Sequence, residues 1–166
     1  MPKSDFKDTI ADEIIELLKT NLGSAGFKQY YFGDPIAIPQ SLLPAIIVEY
    51  ESSDITVATT AQDDIFDVLV IKLVFNKKSE FNRAADEVAG HRRLRELAQG
   101  IDSSNSELSQ SSVVGLLRKN FTLSSNADDQ TITVDYGIMP RPEEVITEEA
   151  HIRATIRQLT TVTNRS

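Results

Sequence analysis

The chain has no cysteine and no tryptophan, and only two histidines and seven glycines among 166 residues. Without cysteine there is no disulfide framework, no thiol catalysis and no cysteine-ligated zinc or iron–sulfur centre. The histidines, His91 and His151, lie far apart and outside HExxH or HxH spacing, so no metal ligand set is expected. The glycines form no phosphate cradle. Gly23 and Gly26 give only GSAG, which a helix end followed by a turn accounts for. No serine lies in GxSxG or SxxK, the strained turns that expose a nucleophile. Long apolar runs are missing too. The best, Ile65 to Phe75, is broken by Asp67 and Lys72 and falls well short of the ~20 residues of a spanning helix. Met1 to Asp8 contains no apolar stretch of secretory type. These absences lead us to expect neither an enzyme nor a cofactor nor a membrane partner.

Positive charge is also scarce. Lys and Arg number 17 against 25 Asp and Glu, for a formal charge of −8. Gripping a phosphate backbone needs clustered cations, so this balance argues against nucleic-acid binding. Hydrophobic residues make up 40% of the chain, too many for wholesale disorder. A single domain over residues 1–166 is the expectation for this length.

What is present is patterned. Phe6, Ile10, Ile14, Leu17 and Leu18 recur at helical spacing and predict a helix over 5–22, with Ser4 as N-cap and Gly23 as its left-handed stop. The period then changes to two. Strands are predicted over about 27–32, 45–51, 54–60 and 65–76, with Pro35, Pro39 and Pro44 framing a surface connection. The 65–76 run is apolar on both faces, so both must be covered, one by its own core and the other by helices or a neighbouring subunit. A second helix is predicted over 81–99. A serine-rich excursion, 102–112, follows, with a short helix over 112–119. Residues 121–125 and 130–139 read as a hairpin, ended by Pro140 and Pro142. The segment 148–162 fits helical spacing, yet its alternation and β-branched residues favour strand. The fold class is therefore α+β: a mixed, mostly antiparallel sheet with two main helices packed on it.

The chemistry-bearing groups are few. His91 sits beside Arg92 and Arg93 and reads as solvated, as does His151. The acidic pairs Asp63–Asp64, Asp128–Asp129, Glu143–Glu144 and Glu148–Glu149 read as loop charge, since neighbouring carboxylates on a strand point to opposite faces and make poor acid–base dyads. No DxDxDG pattern accompanies them. Arg92, Arg93 and Arg95 form the one basic cluster. In an acidic chain, pairing with carboxylates of a neighbouring subunit is the favoured role, ahead of nucleic acid.

In order, the parts are an amphipathic helix, LPAIIVEYE (Leu43 to Glu51), DVLVIKLVFN (Asp67 to Asn76), a second helix, TITVDYGI (Thr131 to Ile138) and HIRATIRQLTTV (His151 to Val162). This order resembles the tail-terminator, or tail-completion, proteins of tailed bacteriophages. The resemblance implies a tail-tube-like fold and a hexameric ring that caps the head-proximal end of the tail tube, stops its polymerisation and docks the neck. It also implies a virion location and contacts with tail tube, neck or head-completion, and sheath proteins, while DNA passes through the bore without sequence-specific binding. Charge and apolar pattern nominate Asp54, Thr56, Asp63, Asp64, Phe66, Arg92, Arg93, Arg95, Asp128, Asp129, Arg153 and Arg157 as subunit or partner contacts. Another head–tail connector and a non-viral adaptor module are the competing readings.

Overall fold

The computed structural model describes residues 9–77, 84–102, 104, 106–109, 111–120, 122–123, 127 and 129–161. Helix α1, Thr9–Leu22, buries Ile10, Ala11, Ile14, Leu18 and Leu22, the stripe that three- and four-residue spacing predicts. Ser4, Asp5 and Phe6 lie outside the described residues. Gly23 does not stop the helix in a left-handed conformation. It opens a 3-10 turn, Gly23–Ala25, and the left-handed residue is Gly26 at φ 88°. Strand β1, Gln29–Phe32, then pairs parallel with the start of β2, Ala45–Thr59.

Strands 45–51 and 54–60 are one strand, which corrects the sequence reading. Ser52, Ser53 and Asp54 interrupt the apolar pattern, but a register shift between Tyr50 and Ser52 absorbs the irregularity. Pairing with β3, Gln62–Asn76, continues to Thr59. Residues 52–64 thus form a hairpin arm of paired strands. Helix α2, Ala84–Gln99, leads into a two-stranded ribbon, β4 (Ile101–Asp102) with β5 (Glu107–Leu108), in the serine-rich stretch. Helix α3, Val113–Lys119, is capped by the Ser112 hydroxyl, which accepts from the Gly115 N–H at 3.1 Å.

Strand β6, Asp129–Arg141, pairs antiparallel with β7, Val145–Thr161, so the closing segment is strand. The predicted 121–125 strand is not formed at the described positions. Thr122 and Leu123 lie in a turn, with Leu123 at φ 46°, and β6 takes its partner from β7. Pro140 does not end β6, because β6 is the sheet's outermost strand and a missing N–H is tolerated there. The strand order is β1-β2-β3-β7-β6, parallel only at β1–β2. The fold is α+β, with a mixed, mostly antiparallel sheet.

The helices pack on one sheet face. Ile46, Val48, Leu69, Ile71, Leu73, Ile152 and Ile156 meet Ile10, Ile14, Leu18, Leu94 and Leu116 there. The other face of β3 is covered neither by helices nor by a neighbour at its Asn76 end. The chain's own proline-framed segment folds across it, burying Ile38, Leu43, Ala45, Ile47, Val74 and Val145 in a second small core. Each aliphatic buried this way contributes about 1.5–3 kcal/mol, ample to hold a short segment down. Toward the hairpin the covering stops. Buried Asp67 marks the limit of the main core, accepting from the Ser53 hydroxyl and, at 3.1 Å, from Gln158 Nε2.

Candidate functional site

Strand alternation sorts the nominated residues by face. Asp54 pairs with Phe66, Phe66 with Arg157, and Arg157 with Asp129, so four of them form one row across β2, β3, β7 and β6. Thr56 and Asp64 pair on the same face, and Arg153 lies two rows away on β7. This is the face away from the helices. Asp63 points to the opposite face of the arm. Arg92, Arg93 and Arg95 are on α2, remote from the row, and Asp128 lies outside the described residues.

The row is held by ion pairs. Arg157 donates Nε to Asp64 Oδ1 at 2.8 Å and Nη2 to Oδ2 at 3.0 Å, with its guanidinium 5.9 Å from the centre of the Phe66 ring. Arg153 donates Nε to Glu51 Oε2 at 2.6 Å and reaches Asp135 at 3.6 Å. The Glu51 carboxylate holds the Arg153 guanidinium above its ordinary pKa. Both pairs are partly exposed, where such contacts are worth about 0–1 kcal/mol each. They arrange the surface more than they stabilise it.

Further along the same face lies a denser network that the sequence reading missed. Arg141 grips Glu149 with Nε and Nη2 at 2.7 and 2.8 Å and reaches Asp34 with Nη1 at 2.9 Å. Lys72 bridges Asp34 at 2.7 Å and Glu49 at 2.8 Å. Thr147 donates to Glu149, and His151 Nε2 lies 2.9 Å from it. Burial works to raise the Glu149 pKa, but hydrogen bonds from His151, Arg141 and Thr147 and the Arg141 charge bring it down to about 2. Asp34 is lowered too, against its own burial, by Arg141 and Lys72. The network ties the proline segment to the sheet.

No protein-family model and no curated protein matches the chain. A chain of the virion of the native gene transfer agent particle is similar over 87% of this chain and 84% of its own, at 11% identity and a TM-score of 0.31. So slight a likeness carries no argument about role.

Several of the remaining titratable groups also depart from the sequence reading. Glu148 and Glu149 are not loop charges: both are buried on β7 and point to opposite faces. Glu148 lies 2.7 Å from His91 Nδ1 and 3.5 Å from Lys77, and the His91 ring meets Tyr136 edge-on at 5.8 Å. His91 and His151 are therefore partnered rather than simply solvated. Asp63 and Asp64 lie on β3, while Glu143 and Glu144 do form an exposed turn. On α2, Arg93 donates to the Ala25 carbonyl at 2.6 Å. Arg92 and Arg95 line an open cleft of about 450 Å³ with Glu96, Gln99, Gly100 and Ile101. Among the described residues no three His, Asp or Glu side chains are placed to hold a metal ion, and no helix is long and apolar enough to cross a membrane.

Chemically, the helix-free face is a place for contact. Among the described residues its solvent-reaching carboxylates, Asp34, Glu49, Glu51, Asp54, Asp64, Asp129 and Asp135, outnumber its cations, Lys72, Arg141, Arg153 and Arg157, while Glu149 is buried beneath them. The arm carries exposed apolar groups on both of its faces: Phe66 and Leu159 on the side of the row, and Ile55 and Val57, 64% and 71% exposed, on the opposite side with Asp63.

Proposed function

We propose that this chain is a structural virion protein, a tail terminator whose hexameric ring caps the tail tube at its head-proximal end. The ring stops tube polymerisation and docks the neck while DNA passes through. The observation that carries this reading is the helix-free face, a carboxylate-rich sheet surface that the hairpin arm extends beyond the core. A surface with surplus negative charge repels the phosphate backbone, which suits a passage for DNA. The exposed aliphatics of the arm and the outermost strand β6 suit contact with tube, neck, sheath or a further copy. The order of elements, which resembles that of tail terminators, supplies the particular role. No enzymatic step and no cofactor enters this reading.

The test is the native mass of the purified protein, alone and with short tail tubes, by light scattering and negative-stain imaging. A six-subunit ring, or a cap at one tube end, is expected. A monomer that ignores tubes overturns the reading and leaves an adaptor module in front.

A further inference from the structure

Every described arginine except Arg92 and Arg95 donates to a named acceptor. Arg93 and Arg118 reach backbone carbonyls, and Arg141, Arg153 and Arg157 reach carboxylates. Arg92 and Arg95 are exposed one turn apart on α2, with Glu96, Gln99 and the 68% exposed Ile101 in the same cleft, and Glu96 makes no ion pair with either arginine. A chain of net charge −8 has carboxylates to spare, yet none of those described pairs with these two.

A matching group sits elsewhere on the molecule. The turn between β6 and β7 presents Glu143 and Glu144, both exposed, at φ 66° and 59°. Two consecutive left-handed residues are the backbone that hairpins ordinarily assign to Asn and Gly, because a Cβ is strained there. Here that backbone carries two carboxylates, and no described cation pairs with either. We infer that the Glu143–Glu144 turn of one copy docks in the Arg92–Arg95 cleft of a second copy, a head-to-tail contact that deepens the ring reading and rests on it. Guanidinium forks meet carboxylates in charge-assisted pairs, and Ile101 supplies an apolar floor. Because turn and cleft are different patches, the contact is heterologous, the kind that repeats around a ring.

Charge reversal tests this on the full chain, with wild type, Arg92→Glu/Arg95→Glu and Glu143→Arg/Glu144→Arg, each alone and with tail tubes, followed by sedimentation and negative stain. Each reversed protein is expected to associate at least about tenfold more weakly than wild type, and a mixture of the two to regain assembly, since each restores the other's complement. A third variant, Glu143→Asn/Glu144→Gly, keeps the turn and removes the carboxylates; it should melt no lower than wild type yet assemble as weakly as the reversed pair. If wild type forms rings and the reversed proteins form them equally well, the docking pair is wrong and the ring reading stands. If wild type associates through these residues into something other than a ring, the docking pair stands and the ring reading falls. A wild type that stays monomeric with and without tubes overturns both.

Discussion

Arg141 closes a two-point fork on the fully buried carboxylate of Glu149, with Nε and Nη2 at 2.7 and 2.8 Å. The same guanidinium reaches Asp34, so one side chain joins β6, β7 and the proline segment. Removing it leaves a charge buried without its main partner, which typically costs about 3–5 kcal/mol. Arg141→Ala should therefore lower urea-unfolding stability by that order. Replacing both ends, Arg141→Met with Glu149→Leu, should cost much less, since no orphaned charge remains. Equal losses for the single and double variants would show that packing, not the ion pair, dominates.

The same pair sets an acid limit. The folded-state pKa of Glu149 is about 2 against an ordinary value of 4.5. A group depressed on folding contributes its stability above the unfolded value and loses it as pH falls toward the folded one. The urea midpoint should therefore drop between pH 4.5 and about 2. Asp34, lowered in the same direction, adds to the fall. Glu149→Gln should show a flatter decline over this window. An acid limb parallel to that of wild type would assign the loss to other carboxylates.

The sequence exposed the parts of this fold that depend on local periodicity. The stripe Ile10, Ile14 and Leu18 and the alternation of Ile152, Ala154 and Ile156 each name their buried face directly. What stayed hidden depends on distant partners. Glu148 and Glu149 look like loop charge until His91 and Arg141 are brought to them by folding. Pro140 looks like a strand end unless β6 is known to be outermost. Ser52 to Asp54 look like a break because the register shift that accommodates them is a property of two strands. The candidate site shows the same division. Charge pattern nominated Asp54, Phe66, Asp129 and Arg157, but only register puts them in one row.

Helix α3 turns on a single small residue. A Cβ on Gly115 would lie 1.9 Å from the Ser109 carbonyl oxygen, which cannot move freely because it also accepts from Ser112. Gly115→Ala should cost at least the ~1–3 kcal/mol typical of overpacking, despite alanine's better helix propensity. Ser112→Ala removes the cap and should cost about 1 kcal/mol. Thermal melts of both variants check the order. A stabilised Gly115→Ala protein would mean that the 109–112 turn yields easily.

The hairpin arm separates folding from function. Ile55 and Val57 are 64% and 71% exposed, so the isolated chain gains little from their apolar surface. Ile55→Thr with Val57→Thr keeps both residues β-branched and should change unfolding stability by no more than about 0.5 kcal/mol. If the arm meets tube or neighbour, the same change adds two hydroxyls to a dry contact, each costing about 1–3 kcal/mol when unpaired. Tube capping in a titration with short tails should then weaken about tenfold or more. Unchanged capping would locate the contact elsewhere on the sheet. A large loss of monomer stability would mean instead that the arm folds back on its own chain, since only apolar groups removed from water on folding leave such a mark.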